Sequence, residues 1–328
     1  MKALVFEAPD RPVVADLEPP EIGPDEVLIR SHAVGICHSD FELFEGRYII
    51  PVEYPVIPGH EWAGEVVAVG DQVRGVQVGD RVSTGGSGDP RPPSKSGAAT
   101  RLRPASDPFR YGTYVQYIIS RPEAVQVYPR EGLSWKEIAM QEMLGCVGQG
   151  IVTAGDFTKQ RVAVFGMGAA GLMMLQAARF MGPASVTAVD IDPKRCEIAS
   201  KLGADRVVQP GSAEWDDLAE DEFTISIDCS GSPKAIESAL ERTAGKMVIF
   251  SVPSGPFVTP TATRRTGTSI HYTRTPNGRT SRFARNLLVS GVVNVKPLLT
   301  HELPIQEFDR GIDLMQKKEA IKVSFTLW

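Results

Sequence analysis

The sequence predicts a two-domain α/β protein, with a mainly β domain joined to a doubly wound parallel sheet. The chain has 328 residues, which suggests two domains at roughly 150 residues each. Short β-branched runs broken by Gly and Pro, such as VLIRSHAVGI and GEVVAVG, predominate over residues 1–130. From Arg161 onward, strand and helix patterns alternate in RVAVF, LMMLQAARFMG and SVTAVD, which is typical of βαβ units.

These patterns predict a first domain over residues 1–145, a parallel sheet over 146–272 and a segment over 273–328 that returns to the first domain. Two amphipathic helices and two short strands are expected in the returning segment. The stretch from Ser83 to Arg110 is rich in Gly, Pro, Ser and Arg and is expected to form a long surface loop.

Charge and hydropathy exclude several classes of partner. The net charge is −5 and the isoelectric point is near 5.7, so nucleic acid and anionic membrane partners are not expected. No apolar run approaches the roughly 20 residues that cross a bilayer. The first residues, MKALVFEAPD, contain acidic residues and a proline too early for the apolar segment of a signal peptide. A cytoplasmic location is therefore expected.

The cysteines do not form a disulfide pattern. There are four, Cys37, Cys146, Cys196 and Cys229, and they are far apart in a long chain. Any cysteine chemistry is therefore expected to involve a metal or a free thiol.

A glycine motif predicts a dinucleotide site. Gly166, Gly168 and Gly171 form G-x-G-x-x-G, with Ala170 inside the motif, between an apolar strand and a helix. The first glycine permits a tight turn, the second lets the backbone approach a pyrophosphate, and the third allows close helix–strand packing. The positive end of the helix favours the phosphates.

An acidic residue after the next strand favours NAD. Asp190 lies 19 residues after Gly171 (190 − 171), where its carboxylate can bind ribose hydroxyls and repel a 2′-phosphate. Lys194 and Arg195 are close enough to weaken that preference, and Arg195 is expected to contact the cofactor.

Two motifs in the first domain carry metal-binding residue types. GICHSD contains Cys37, and PGHE contains His60 and Glu61. Thiolate, imidazole and carboxylate are zinc ligands, and three protein ligands with one open position are typical of a catalytic site.

In this order, G-x-C-x-S-D, G-H-E and G-x-G-x-x-G resemble the medium-chain dehydrogenase/reductase family, especially its zinc alcohol and polyol dehydrogenases. The stretches GEVVAVGDQVRGVQVGDRV and GTYVQYIIS extend the resemblance over nearly the whole chain. It implies a GroES-like catalytic domain, a Rossmann domain that binds NAD, and a catalytic zinc ion.

The resemblance also implies roles for individual residues. Cys37 and His60 would be zinc ligands, and Glu61 would be either a direct ligand or one that exchanges with water or substrate. Asp40 would orient the imidazole or set the charge around the metal. Ser39 would take the proton of the alcohol.

A further acid is expected at the metal, as in the sorbitol and threonine dehydrogenase branches. Glu142 lies 24 residues before Gly166 (166 − 142), which matches the E-P-L motif of those branches, although Met143 replaces the proline. It is expected to be a ligand or to act through water. Cys146 is too near the glycine motif to be a ligand and is expected against the nicotinamide, with His38 near the pyrophosphate.

One family feature is missing. Many zinc members bind a second, structural zinc ion with four cysteines between the DRV and GTY segments, where this chain has none. One catalytic zinc ion and no structural zinc are therefore expected. Either the lobe was lost or the local composition records an altered reading frame. A similar Thr/Arg-rich stretch lies at Thr259–Thr268. A homodimer through the strand near Ile270, or a homotetramer, is expected.

The resemblance predicts hydride transfer between NAD and a secondary alcohol: a polyol, sugar, cyclitol or amino alcohol. Leu43 stands where sorbitol dehydrogenases have a substrate-binding tyrosine, which argues against sorbitol. One alternative is a zinc-free quinone or enoyl reductase, which would generally lack Cys37 and His60. Another is a catalytically silent binding protein, for which the unusual loop is the only support.

Overall fold

The computed structural model describes residues 1–48, 52–85 and 112–328. These residues divide into two compact units. The first comprises Met1–Met143, Asn277–Arg285 and Leu298–Trp328, and the second comprises Leu144–Pro276 and Asn286–Pro297. The segment 273–328 is therefore shared between the units, because residues 286–297 pack within the second one.

The strands, in chain order, are β1 Lys2–Ala8, β2 Arg11–Asp16, β3 Val27–Gly35, β4 Glu61–Val69, β5 Arg81–Thr84, β6 Tyr117–Ser120, β7 Val125–Tyr128, β8 Arg161–Phe165, β9 Ser185–Val189, β10 Arg206–Val208, β11 Phe223–Asp228, β12 Thr243–Ile249, β13 Ser269–Tyr272, β14 Leu299–Pro304 and β15 Lys322–Thr326. The helices are α1 His38–Phe44, α2 Trp135–Ala139, α3 Gln141–Ala154, α4 Ala169–Phe180, α5 Pro193–Lys201, α6 Ala213–Asp216, α7 Pro233–Glu241, α8 Thr261–Thr266, α9 Gly278–Val289 and α10 Phe308–Gln316. Short 3₁₀ turns occupy Pro122–Ala124, Lys296–Leu298 and Ile305–Glu307.

The first unit is mainly β, as predicted. Its larger sheet has the order β14-β15-β3-β4-β5-β7, with β6 also paired to β3, and β1 and β2 form a separate hairpin. All pairs in the larger sheet are antiparallel except β14 with β15. Aromatic side chains fill the core, where Phe6, Tyr114, Phe308 and Phe325 are fully buried.

The second unit contains the predicted parallel sheet. Its order is β10-β9-β8-β11-β12-β13, and every pair is parallel. The order is that of a doubly wound dinucleotide-binding fold, in which β8 and β11 flank the point where the winding reverses. Ligands of such sheets bind at the carboxyl ends of these two strands, where the glycine motif follows β8.

Some expectations were wrong in detail. Ser83 and Thr84 belong to β5 and not to a surface loop, and Ser83 is buried with its hydroxyl donating to the Trp62 carbonyl at 2.6 Å. Residues 86–110 of the predicted loop lie outside the described residues. The Thr/Arg-rich stretch contains α8, a single short helix before β13. Within the described residues, no helix is long and apolar enough to cross a membrane.

Candidate active site

The first unit brings the predicted metal ligands together. One ligand atom each from Cys37, His60 and Glu61 lies within 4.8 Å of the other two, although 23 residues separate the first two in the chain (60 − 37). Cys37 and His60 are half-buried, and Glu61 is fully buried. Glu142 adds a fourth group, with its Oε2 4.0 Å from His60 Nε2.

Sheet pairing explains this convergence. Strand β3 ends at Gly35 directly opposite Glu61, the first residue of β4. Cys37 lies two residues beyond Gly35, at the N-terminal cap of α1. A single antiparallel register therefore places the ends of both motifs side by side. Gly59 has φ +94°, and a Cβ there would lie 2.3 Å from the Tyr114 ring, so only glycine permits this turn before His60.

Asp40 lies beside Cys37 and His60 and fixes the backbone at Cys37. Its Oδ2 accepts hydrogen bonds from the Cys37 N–H at 2.8 Å and from the Tyr114 hydroxyl at 3.0 Å. Its Oδ1 lies 3.9 Å from His60 Nδ1, which is an ionic contact and too long for a hydrogen bond. Asp40 is 2 % exposed, so its charge acts on the imidazole with little screening by solvent.

A buried lysine contacts Glu61. The Lys322 Nζ donates to Glu61 Oε1 and to the Ile36 carbonyl, both at 2.6 Å. The Nζ atom also lies 2.5 Å from Glu61 Oε2, so the ammonium contacts both oxygens of the carboxylate. Lys322 is 1 % exposed and Glu61 is 0 % exposed, so this is a fully desolvated ion pair.

The charges of these groups shift their pKa values. Burial alone would lower the pKa of His60, but the negative charges of Cys37, Asp40 and Glu142 together raise it well above its ordinary value. Burial also raises the pKa of Glu61, and the positive charges of Lys322 and His60 oppose that rise. The anions around His60 therefore favour its protonated form, and Lys322 favours the charged form of Glu61.

The donor set fits zinc. A thiolate, an imidazole and a carboxylate are the ligand types of catalytic zinc sites, and the soft thiolate disfavours magnesium and calcium. The three ligand atoms lie within 4.8 Å of one another, which is close enough for all three to bind one ion.

The glycine motif of the second unit has the geometry of a dinucleotide site. Gly166 has φ +91°, and a Cβ at Gly171 would lie 1.7 Å from the Gly166 carbonyl oxygen, so neither position accepts a side chain. A Cβ at Gly168 would meet nothing nearer than Arg195 Nη1, at 4.0 Å. Gly168 caps α4 without a side-chain hydrogen bond, which leaves amides at the helix start for an anion. These features fit the pyrophosphate of a dinucleotide.

Asp190 follows β9 and is anchored by the backbone. It accepts from the Met167 N–H at 2.5 Å and from the Asp192 N–H at 2.8 Å. The Arg195 Nε lies 3.7 Å from Asp192 Oδ2, so its guanidinium is close to the glycine turn while paired with an acid of its own helix. An anchored carboxylate beside the glycine turn matches the position expected for ribose recognition.

The remaining predicted site residues lie on helices near these motifs. Ser39 is half-buried in the first turn of α1, and the neighbouring His38 is largely exposed, with Nε2 3.9 Å from Glu42 Oε1. Cys146 is half-buried on α3, one turn after Glu142. Ala170 is half-buried in the first turn of α4.

Three residues of the site were missed from the sequence. Lys322 opens an apolar strand, and a lysine at a core position was the available signal. Tyr114 occupies a strand-like run where an aromatic residue normally indicates packing alone. Tyr48 follows α1; burial raises its pKa, and the charges of His60 and Cys37 also act on it.

Comparisons with known proteins agree with this geometry. Residues 23–130 match the family model described as the alcohol dehydrogenase GroES-like domain. Residues 169–311 match the model described as zinc-binding dehydrogenase. The two matches fall in the mainly β unit and largely in the parallel-sheet unit, in the predicted order.

Curated relatives and solved structures resemble the whole chain. The sorbitol dehydrogenase of Bacillus subtilis (strain 168) is 32% identical, over 98% of this chain and 96% of that protein. The L-threonine 3-dehydrogenase of Caldanaerobacter subterraneus subsp. tengcongensis is 31% identical, over 93% and 92%. The crystal structure of 2R,3R-butanediol dehydrogenase from Bacillus subtilis superposes with a TM-score of 0.85 at 24% identity, covering 99% of both chains.

Proposed function

Because the chain belongs to the medium-chain dehydrogenase/reductase family, among its zinc-dependent alcohol and polyol dehydrogenases, we propose that it transfers hydride between a secondary alcohol and NAD. The cluster of Cys37, His60 and buried Glu61 is the observation that carries this proposal. A zinc-free quinone or enoyl reductase would have no use for a thiol, an imidazole and a desolvated carboxylate within 4.8 Å of one another.

Cys37, His60 and Glu61 would hold one catalytic zinc ion. Glu142, with its Oε2 4.0 Å from His60 Nε2, would be a further ligand or would act on the metal through water. Bound zinc supplies a Lewis acid that lowers the pKa of an alcohol, and bound NAD accepts the hydride. No structural zinc is proposed, because the chain lacks the cysteines for one.

The protein groups would position the substrate and move its proton. Ser39 would accept the alcohol proton, since its half-buried hydroxyl lies two residues after Cys37. Asp40 would keep the Cys37 backbone and the imidazole of His60 in place. Glu142 would contribute negative charge and a second acceptor for the alcohol proton.

The second unit would bind NAD in preference to NADP. Gly166, Gly168 and Gly171 would receive the pyrophosphate, and Asp190 would bind the ribose hydroxyls. The ion pair between Arg195 and Asp192 partly neutralises the cation nearest the glycine turn, which disfavours a 2′-phosphate. Cys146 and His38 would contact the cofactor, as the resemblance implies.

The substrate would be a polyol, sugar, cyclitol or amino alcohol, in line with the names of the relatives. Leu43 packs against the core of the first unit. As a hydrocarbon side chain it offers no hydroxyl to a polyol. A homodimer through β13 or a homotetramer would be the assembly, and a cytoplasmic location is proposed.

Screening NAD reduction over secondary alcohols, polyols and amino alcohols tests the proposal. We expect turnover with at least one class, zinc near one equivalent per chain, and loss of turnover on chelation with recovery on adding zinc. Quinone reduction by a zinc-free protein would support the reductase alternative. Absence of all NAD-linked turnover would support the silent binding protein.

A further inference from the structure

Asp228 is the last residue of β11, and its side chain bonds to the loops that follow β11 and β12. It is 0 % exposed. Its Oδ1 accepts hydrogen bonds from the Ser230 N–H at 3.0 Å and from the Ser230 hydroxyl at 2.6 Å. Its Oδ2 accepts from the Gly231 N–H at 3.3 Å and from the Ser251 hydroxyl. Four donors thus converge on one carboxylate, which uses about all of the lone pairs that its two oxygens offer.

The same two loops, residues 229–232 after β11 and residues 250–254 after β12, also contact each other directly. The Ser254 N–H and hydroxyl both donate to the Gly231 carbonyl, at 2.9 and 3.1 Å. A Cβ at Gly231 would lie 2.9 Å from the Val252 carbonyl oxygen, so the two backbones touch at this point. The loops therefore form one continuous surface, the β11–β12 wall, with the buried carboxylate at its base.

The β11–β12 wall packs against the glycine turn. The Cys229 N–H donates to the Phe165 carbonyl at 2.7 Å. A Cβ at Gly166 would lie 2.8 Å from the Ser230 Cβ. A doubly wound sheet binds a dinucleotide with two mononucleotide-binding halves, and the half that contains the glycine turn and the acid after its second strand takes the adenosine side. The wall belongs to the other half and therefore lies on the nicotinamide side.

We propose that Asp228 is a positioning residue for the nicotinamide half of NAD: it fixes the β11–β12 wall against which that half binds. The inference rests on the proposed function as an NAD-dependent dehydrogenase. A carboxylate can accept from all four donors at once, whereas an amide in its place would present N–H groups to two of them. A wall that is ordered before the cofactor arrives reduces the entropy that binding costs.

A carboxylate that only stabilises the fold makes a different prediction. Asp205 provides the comparison, because it also accepts a backbone hydrogen bond, from the Val186 N–H at 2.8 Å, but precedes β10 at the amino edge of the sheet. Removing either acceptor leaves a donor unsatisfied and lowers stability. If Asp228 were only structural, Asp228→Asn and Asp205→Asn would both lower the urea midpoint and leave nucleotide affinities unchanged. If Asp228 fixes the wall, Asp228→Asn alone weakens NAD binding.

The experiment measures the affinities of NAD and AMP by calorimetric titration, together with the urea midpoint of each variant. In Asp228→Asn we expect NAD affinity to fall about tenfold, the effect of losing one hydrogen bond to a charged group. AMP contains only the adenosine half, so its affinity should not change. Asp205→Asn is the matched control and should keep the wild-type affinity for both nucleotides.

Ser251→Ala covers the case in which Asp228→Asn does not fold. It removes the link between the carboxylate and the loop after β12 but leaves the other three hydrogen bonds, so we expect a folded protein with weaker NAD binding and unchanged AMP binding. Wild-type NAD affinity in Asp228→Asn, or in Ser251→Ala where Asp228→Asn does not fold, would overturn the inference. Equal weakening of NAD and AMP would also overturn it. A wild-type chain that binds neither nucleotide would instead overturn the proposed function.

Discussion

The metal cluster and the glycine turn perform comparable tasks with different parts of the chain. The turn from Gly166 to Gly171 is six residues long and offers backbone amides, and its first and last glycines occupy positions where a Cβ cannot fit. The metal cluster uses Cys37 at the N-terminal cap of α1, His60 and Glu61 at the start of β4, Glu142 of α3 and Lys322 of β15. It depends on compensation of buried charge. A site built from backbone amides can therefore be predicted from a short motif, whereas a site built from side chains can be predicted only in part.

The comparison implies that the two regions fail in different ways. A change in the metal cluster should remove chemistry while dinucleotide binding persists. A change in the glycine turn should remove dinucleotide binding while the metal is retained. The predictions below separate the two, in descending order of effect.

Replacing a metal ligand should have the largest effect. Cys37→Ser should lose bound zinc and lower kcat for alcohol oxidation by roughly a thousandfold or more, because Lewis-acid stabilisation is worth several kcal/mol. Metal analysis and steady-state kinetics measure both. NAD affinity, followed by calorimetry, should stay close to that of the wild type. A parallel collapse of NAD binding would show that the regions are not independent.

Filling the tightest glycine should come next. In Gly171→Ala the new Cβ would lie 1.7 Å from the Gly166 carbonyl oxygen, so helix α4 and the turn must separate. We expect a loss of about 1–3 kcal/mol in the free energy of unfolding, as for other overpacked sites. Urea denaturation measures it, and Gly255→Ala, where the nearest atom is 3.9 Å away, is the control. Equal stability of the two variants would contradict the close packing.

The middle glycine should separate binding from stability. A Cβ at Gly168 meets nothing nearer than 4.0 Å, so Gly168→Ala should unfold at the wild-type urea concentration. The methyl group would nevertheless occupy the space where the pyrophosphate approaches the backbone, and we expect NAD affinity to fall about tenfold. Calorimetric titration with NAD provides the measurement. Unchanged affinity would mean that the cofactor does not approach this position.

A residue outside both sites should give the smallest effect. His32 stacks on Trp135 with ring centroids 4.3 Å apart, and burial, followed by the charge of Arg30, lowers its pKa below 6.5 despite Glu65. Because the unfolded chain then binds the proton more readily, stability should decrease as the pH falls below 6.5 towards the folded-state pKa.

Urea midpoints as a function of pH, read by tryptophan fluorescence, test this contribution. His32→Phe keeps a ring on Trp135 but cannot titrate, so it should remove part of the pH dependence in that interval. An unchanged slope in His32→Phe would assign the pH dependence to other groups.

The sequence was sufficient for features specified by local contacts. The glycine motif, the acid after β9 and the parallel sheet all follow from patterns within about 30 residues, which is the scale of a βαβ unit. Cys37 and His60 could be predicted as site residues from their motifs, which lie at the ends of two strands that pair with each other. Their closeness in space could be expected but not measured.

The features that were missed depend on long-range pairing. Lys322 reaches Glu61 across 261 positions of the chain, and only the placement of β15 beside β3 brings them together. The Tyr114 hydroxyl reaches Asp40 across 74 positions. The limits of β5 were misplaced because Ser83 reads as a loop residue, while its hydroxyl is in fact satisfied by the Trp62 carbonyl. The local sequence indicates which secondary structure a residue favours, but its hydrogen-bond partner depends on how all the strands of the sheet pair.

The distance in sequence between Glu61 and Lys322 has a consequence for synthesis on the ribosome. At about 5–20 residues per second, the lysine is added roughly 10–50 s after the glutamate. During that interval the first two motifs are already available, but the carboxylate lacks its ammonium and β3 lacks its neighbour β15. A nascent chain could therefore capture a metal ion before its sheet is complete, and the order of metal uptake and strand insertion becomes a property of translation speed.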